Sequence, residues 1–487
     1  MELHPRPLAM VRKTFEPAPR ATDQNYPTRL RPRLIRVFAL RPWLMVLGLV
    51  AIVAGAGQGV YAQTSVQVGT DPAKFVLKGM IVNAGGALNG EMVIEGDTIA
   101  CVAATCTEPP GATLITVLNA YIFPGFIDAH NHVAYNFLPK WNPPKAYLRR
   151  AQWQASPSYK TFKKPYDDNK KQLFCEMVKY GELKALLSGV TTIQGTSPGS
   201  ACIDVLIRNA ENQNQLNLPA SYIRTFILDI SSFKETIDWK ATKSFVVHIA
   251  EGAQGDLPSL KEFEILQQKN LLTASTAIIH GTAFGDAEFQ KMGQAKAKLI
   301  WSPESNLRLY NQTTNIPLAL KHGVPVSLGV DWNPSGSDTL FDELRVASQV
   351  NSEIFHNAIP SSDWIKMVTV NPANALALDT QIGDLKQGLK ADITVLSAND
   401  PDPAQSLLKT HLQDVQMVWV KGILLYGNES ILQTVKKDAC EPLLVHGSKK
   451  RLCVSDPGAG VPKADETLAV ITEKLRSAYP GLAPLVP

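Results

Sequence analysis

From residue 123 to about residue 378, short apolar runs alternate with stretches of helical spacing. The runs lie at 123–132, 190–194, 221–228, 244–248, 274–280, 298–301 and 324–330. Residues 173–188, 203–212, 257–269 and 285–292 carry the helical spacing, and Gly189 stands where a helix end favours a left-handed residue. A run that is apolar at every position suits a strand buried on both faces, and parallel strands need crossover helices. Repeated β-α units over roughly 250 residues predict an α/β fold built on a (β/α)8 barrel, seven of whose strands are placed by these runs.

The flanks have a different texture. Runs at 75–82, 91–95 and 98–102 are short and separated by turn residues such as Asn89-Gly90 and Gly96-Asp97, which predicts a small sheet. After a helix predicted over 363–378, strands are expected again at 392–396, 415–420 and 423–426. The two flanks together predict one composite β-sandwich. The expected organisation is a leader over 1–62, the first part of the sandwich over 63–123 and the barrel over 124–378. The second part of the sandwich then covers 379–435, and a tail over 436–487 holds a cysteine pair and a helix near 466–477.

Residues 1–42 hold eight arginines and Lys13 against Glu2, Glu16 and Asp23, a net +6 in a chain of net +4. The remainder is therefore −2, so no nucleic-acid footprint is expected. Residues 43–62 are uncharged and end in Val60-Tyr61-Ala62-Gln63. An apolar run of about 15 residues suits a signal peptide cleaved after Ala62 better than a span of about 20, with an uncleaved membrane anchor as the alternative. Six cysteines fit an oxidising compartment, and their spacing favours the pairs Cys101–Cys106, Cys175–Cys202 and Cys440–Cys453. A periplasmic or secreted location is expected.

Chemistry in such barrels sits at the C-terminal strand ends. The first strand gives His130 and His132, whose i, i+2 spacing puts them on one face of an extended chain. Later strands end in His248, closely followed by Glu251, in His280 and in Asp331. One such histidine alone reads as a core residue. Four of them with a carboxylate, all at strand ends, read as a metal site of imidazole and carboxylate ligands with a position open for water. Asp128 is expected to support the strand or orient His130. The segment 133–172, with Tyr135, Trp141, Trp153 and Tyr159, is long enough to be a lid or pocket wall.

These motifs resemble the metal-dependent amidohydrolase superfamily. The resemblance rests on Phe-Pro-Gly-Phe-Ile-Asp-Ala-His-Asn-His (123–132), Ser-Gly-Val-Thr-Thr (188–192), His-Ile-Ala-Glu (248–251) and His280. It continues through Ser-Pro-Glu-Ser-Asn-Leu-Arg-Leu (302–309), Ser-Leu-Gly-Val-Asp (327–331), Val-Asn-Pro-Ala-Asn-Ala-Leu (370–376) and Gly-Leu-Lys-Ala-Asp-Ile-Thr-Val-Leu (388–396). The expected fourth strand carries Arg224 and no lysine, which is similar to the mononuclear branch of cytosine and guanine deaminases, triazine hydrolases and imidazolonepropionase. The resemblance implies that His130, His132, His248 and Asp331 hold one divalent ion, zinc or alternatively iron. It further implies that His280 contacts water or substrate and stabilises developing charge, that Glu251 shuttles protons, and that Asp331 doubles as a base.

The implied activity is hydrolysis of a non-peptide carbon–nitrogen bond through metal-bound hydroxide, by opening a cyclic amide or deaminating a ring amine. The alternatives are a hydrolase of linear amides (an N-acyl compound or dipeptide) and a non-catalytic metal-binding envelope protein. The expected partner is a small-molecule substrate. No nucleic acid is expected, a membrane only if the leader is retained, and a homo-oligomer is compatible with the sequence.

Overall fold

The computed structural model describes residues 64–195, 202, 206–436, 440–455 and 463–487. The leader and its cleavage site lie outside the described residues. In chain order the first strands are β1 (Ser65–Gln67), β2 (Lys74–Asn83), β3 (Gly86–Glu95), β4 (Thr98–Ala103) and β5 (Thr113–Pro124). The middle of the chain supplies β6 (Phe126–Asp128), β7 (Val190–Ile193), β8 (Arg208–Asn209), β9 (Ile223–Phe226), β10 (Ser244–Ile249), β11 (Thr276–His280), β12 (Lys298–Trp301) and β13 (Val326–Leu328). The end supplies β14 (Ile393–Ser397), β15 (Val415–Val420), β16 (Ile423–Asn428), β17 (Glu441–Val445) and β18 (Ser448–Leu452).

The outer strands form one ten-stranded sheet of order β17-β18-β16-β15-β14-β5-β2-β3-β4, with β1 also on β5. Strands from both ends of the sequence meet where β5 pairs antiparallel with β14. Their side chains share a core in which Phe75 lies edge-on to Trp419 at 4.5 Å. Burying an aromatic pair of this kind contributes about 0.5–1.5 kcal/mol beyond its area.

The middle strands are all parallel, in sheets ordered β6-β7-β8 and β9-β10-β11-β12-β13. Every residue of β10 and β11 is buried, as the unbroken apolar runs require. The first and last of these strands meet. Ala129 N–H reaches Leu328 O at 3.1 Å, Asp331 N–H reaches His130 O at 2.8 Å, and Asn131 bridges Asp331 in parallel. Between β8 and β9 no ladder forms among the described residues. The Gln213 amide spans that gap, donating to Ile223 O at 2.6 Å and accepting Ile223 N–H at 3.1 Å.

Three expectations are corrected. The 123–132 run is not one strand: it breaks at Gly125, where a Cβ would lie 2.2 Å from Thr191 Oγ1, and β6 stops at Asp128. The helix expected over 203–212 is replaced by β8 within its described part, 206–212, while 203–205 lie outside the described residues. The helix expected over 363–378 is two, Asp363–Met367 and Val370–Ala375. The β-branched run Val368-Thr369-Val370 and the residue before Pro372 both disfavour a continuous helix.

The helix Phe174–Leu187 is enclosed on nearly every side. Its Glu176 pairs with Lys463 and Lys474, Lys179 donates to the Lys463 carbonyl at 2.6 Å, and Tyr180 donates to Ala483 O at 2.6 Å. The tail, including helix Leu468–Ala478, thus covers a face that would otherwise be wet. All six cysteines are paired, as Cys101–Cys106, Cys175–Cys202 and Cys440–Cys453.

Candidate metal centre and its lid

The turn after β6 places His130 and His132 beside each other, with ring centroids 4.8 Å apart. Asp128 fixes this turn from below. Its carboxylate accepts Val330 N–H at 3.0 Å and Asn131 Nδ2–H at 2.7 Å, and burial lifts its pKa to about 6. It tethers the first parallel strand to the last and also accepts His130 N–H at 3.4 Å, so it both supports the strand end and helps to place His130. His248, near the end of β10, lies 4.7 Å from the His130 ring. Asp331 puts Oδ1 3.2 Å from His130 Nε2 and 3.5 Å from His132 Nε2. His280 closes the group, 5.3 Å from the His248 ring. The structure therefore brings His130, His132, His248, His280, Asp331 and Glu251 to one place, all but His132 buried below a tenth exposure.

Two of these side chains are held by strained backbone. His280 has φ +69° and Asp331 φ +68°, in the left-handed region that non-glycine residues avoid. In each case the strand has just ended and the chain turns sharply to aim the side chain inward.

Hydrogen bonds fix the tautomers. His130 Nδ1 faces Gln194 Oε1 at 3.4 Å, and Gln194 is oriented by donating to Glu211 at 2.7 Å. His280 Nδ1 faces Asn306 Oδ1 at 3.0 Å, while Asn306 Nδ2 is turned to Thr314 Oγ1 at 3.2 Å. Each Nδ1 therefore carries a hydrogen, and each Nε2 points inward. Burial pushes His132 and His280 down to about 4 and drives His248 well below its ordinary value, so these rings are neutral. Asp331 is the one carboxylate set directly against these rings, and its Oδ1 is the oxygen that faces His130 and His132. Ser305 Oγ–H donates to its other oxygen at 2.5 Å.

This donor set fits a divalent cation. His130 Nε2 and His248 Nδ1 are buried without a hydrogen-bond partner. A buried Nε2 that no hydrogen bond satisfies, 3.2 Å from a carboxylate oxygen, suits a cation held between the two. Ligand atoms of His130, His132 and Asp331, and of His130, His248 and His280, fall within 4.8 Å of one another. Neutral imidazoles with one carboxylate suit zinc.

Glu251 sits at the edge of this group, its Oε2 3.8 Å from His280 Nε2. Burial lifts its carboxyl to about 7, with Arg150 opposing the rise. Its immediate partners are residues the sequence did not single out. Tyr310 O–H donates to Oε1 at 2.6 Å, and Arg150 Nε lies 3.6 Å from Oε2. Tyr310 directly follows the Ser-Asn-Leu-Arg-Leu run, which was the one available signal for it; Arg150 lies in the 133–172 segment with no motif of its own.

The 133–172 segment is not a bare loop. It carries the helices Arg150–Ala155, Pro157–Phe162 and Lys164–Asn169. Trp141, Tyr147, Trp153 and Tyr159 cluster with Tyr310 and Trp332. Trp332, next to Asp331, lies 6.0 Å from the His132 ring, so the aromatic cluster roofs the histidines. The segment is bonded to three stretches around the site: Ala253 N–H to Leu148 O at 2.8 Å, Tyr147 N–H to Leu309 O of helix Pro303–Tyr310 at 2.8 Å, and Trp141 N–H to Pro334 O at 2.8 Å. A bidentate Arg149–Asp256 pair at 2.7 and 3.0 Å adds a fourth attachment.

Residues 240–425 match the amidohydrolase family model. The 5-methylthioadenosine/S-adenosylhomocysteine deaminase of Saccharophagus degradans is 28% identical over 207 residues, covering 39% of this chain and 46% of the relative. The chain thus spans under half the length of that relative. Among solved structures, an adenosine deaminase from Xanthomonas campestris with bound zinc superposes with TM-score 0.59 at 15% identity, over 83% of this chain and 98% of that one. A triazine hydrolase from Arthrobacter aurescens superposes with TM-score 0.58 at 16% identity, over 75% and 99%. The segment that matches the amidohydrolase family model holds His248, Glu251, His280 and Asp331, four of the six convergent residues.

Proposed function

We propose that this protein is a metal-dependent hydrolase of a non-peptide carbon–nitrogen bond, opening a cyclic amide or deaminating a ring amine in a small molecule. The observation that carries the reading is the facing of His130 Nε2, buried without a hydrogen-bond partner, and Asp331 Oδ1 at 3.2 Å, with Glu251 and His280 alongside. His130, His132, His248 and Asp331 would hold one zinc ion. The fourth parallel strand carries Arg224 paired to Glu235, with no lysine to bridge a second ion, which supports one metal. We infer that β6 to β13 form a (β/α)8 barrel and the ten-stranded sheet its composite β-sandwich partner. The three disulfides support an exported, periplasmic or secreted protein with the leader removed after Ala62.

When bound, the ion would acidify a water and polarise the carbon under attack. The chain's own residues then move the protons. Water adds to the carbon, forming a C–O bond. His280, whose Nε2 is an acceptor, or Asp331 takes a proton from that water. This revises the charge-stabilising role expected for His280, since a ring protonated only on Nδ1 has no hydrogen to donate there. Glu251, with its pKa lifted to about 7 by burial, is poised to hold a proton near neutral pH and delivers it to the departing nitrogen. The C–N bond breaks and the amine leaves neutral. The aromatic roof excludes bulk water from this transfer.

Ring-nitrogen chemistry in the names of the similar proteins supports the choice of bond. The test is a panel of ring amines and cyclic amides assayed for ammonia release or ring opening, alongside metal content and N-terminal sequencing of the exported chain. Purified protein holding no divalent metal would overturn the hydrolase reading, and an N-terminus other than Gln63 would overturn the cleavage site.

A further inference from the structure

Both oxygens of Glu251 are held by groups tied to the lid. Arg150, on lid helix Arg150–Ala155, approaches Oε2 at 3.6 Å and uses its remaining nitrogens on Glu262 Oε1 and Ile227 O, each at 3.5 Å. Oε1 accepts the Tyr310 hydroxyl at 2.6 Å. That hydroxyl in turn accepts Trp153 Nε1–H at 2.8 Å, and Trp153 is on the same lid helix. The bonds have a single direction: indole N–H to phenol oxygen, phenol O–H to carboxylate. Trp153, Tyr310 and Glu251 are all buried, so no solvent competes for these bonds. The main chain adds a fixed point, with Arg150 N–H on the Glu251 carbonyl at 3.0 Å.

We propose that Arg150 and Trp153 of the lid, with Tyr310 as the relay, are positioning residues that hold the Glu251 carboxyl in its working orientation, so that seating the lid assembles the proton shuttle. The proposal rests on reading Glu251 as that shuttle. A lid that merely covered the mouth would need apolar packing alone. Here its two polar groups converge on the one carboxyl whose orientation decides where a proton can go. With the lid lifted, Tyr310 loses its donor and Oε2 loses its cation, and Glu251 is free to turn from His280.

The test compares wild type with Trp153→Phe, Tyr310→Phe and the double variant, all zinc-loaded. Tyr310→Phe keeps the ring and removes only the hydroxyl, whereas Trp153→Phe removes the indole N–H together with part of the ring. Hydrogen exchange of backbone amides in Arg150–Ala155 reads lid seating without any substrate. Each single variant is expected to raise exchange about 3- to 10-fold. The double variant should fall short of the product of the single effects, because the polar part of the Trp153 effect acts through the Tyr310 hydroxyl and only its packing part persists without it. On a ring amine that wild type turns over, Tyr310→Phe should lower kcat roughly 10- to 100-fold with KM and metal content held. Unchanged exchange, or single effects that multiply in the double variant, would overturn the proposal. So would a Tyr310→Phe protein with full kcat. If wild type turns over nothing, the hydrolase reading fails, and the exchange cycle still decides the coupling of lid to Glu251.

Discussion

Replacing Asp331 by asparagine removes the one anionic ligand while keeping its shape. Structural zinc sites bind with about 10–16 kcal/mol, so each of four ligands accounts for roughly 3–4 kcal/mol. At about 1.4 kcal/mol per tenfold, Asp331→Asn should weaken zinc binding roughly 10²- to 10³-fold. Thermal and urea unfolding at matched zinc concentrations read this directly. At free zinc 1,000-fold above the wild-type Kd, wild type gains about 4.1 kcal/mol over its metal-free form. The same zinc is then only about 1–10 times the variant's Kd, which leaves a gain of about 0.4–1.4 kcal/mol. The metal-free forms should differ little in fold, because Ser305 can still donate to the remaining amide oxygen. Equal zinc-dependent gains in the two proteins would refute the assignment of Asp331 as a ligand, whatever happened to activity.

Other outcomes follow from the same geometry. The Glu251 carboxyl is raised from 4.5 to about 7 by burial, so the folded state binds its proton more tightly than the unfolded chain does. Its stabilising contribution is complete below about pH 4.5 and is lost as pH rises through 7, a change of roughly 3 kcal/mol. Glu251→Gln should flatten that fall in the metal-free protein, but only in part, since Glu262 is likewise raised to about 7; an unchanged pH slope would count against it. Arg208 and Asp392 form a buried pair at 2.6 Å joining β8 to the residue before β14, and Asp392→Asn should cost about 3–5 kcal/mol in urea unfolding. Replacing Cys175 and Cys202 together by serine opens a cross-link 27 residues apart in sequence and should cost about 3–4 kcal/mol, read as a lower urea midpoint.

The chemistry of the site was legible because strand ends are marked in sequence. An apolar run that stops at a histidine or aspartate announces both the strand and its terminal side chain, as at His280 and Asp331. Arg150, Trp153 and Tyr310 were not legible in their roles, since each acquires its partner through tertiary contact alone, Trp153 and Tyr310 standing 157 positions apart. The strand β8 was hidden for a related reason. It is two residues long and both are polar, so no apolar run betrays it, and its Arg208 is satisfied by Asp392, 184 residues away. Turns that depend on close approach were equally silent: Gly125 reads as an ordinary Pro-Gly corner until Thr191 is set against it.

The enclosure of helix Phe174–Leu187 bears on the order in which the molecule can be completed. Its lysine and tyrosine contacts reach forward 284 and 303 residues, to Lys463 and Ala483. During vectorial synthesis or translocation, this helix leaves the ribosome or pore long before its cover exists. At roughly 5–20 residues per second the interval is about 15–60 s. Throughout it, Lys179 and Glu176 must remain hydrated and the helix cannot settle into its final place. Completion therefore waits for the last residues, and the tail acts as the closing step of assembly rather than as an appendage.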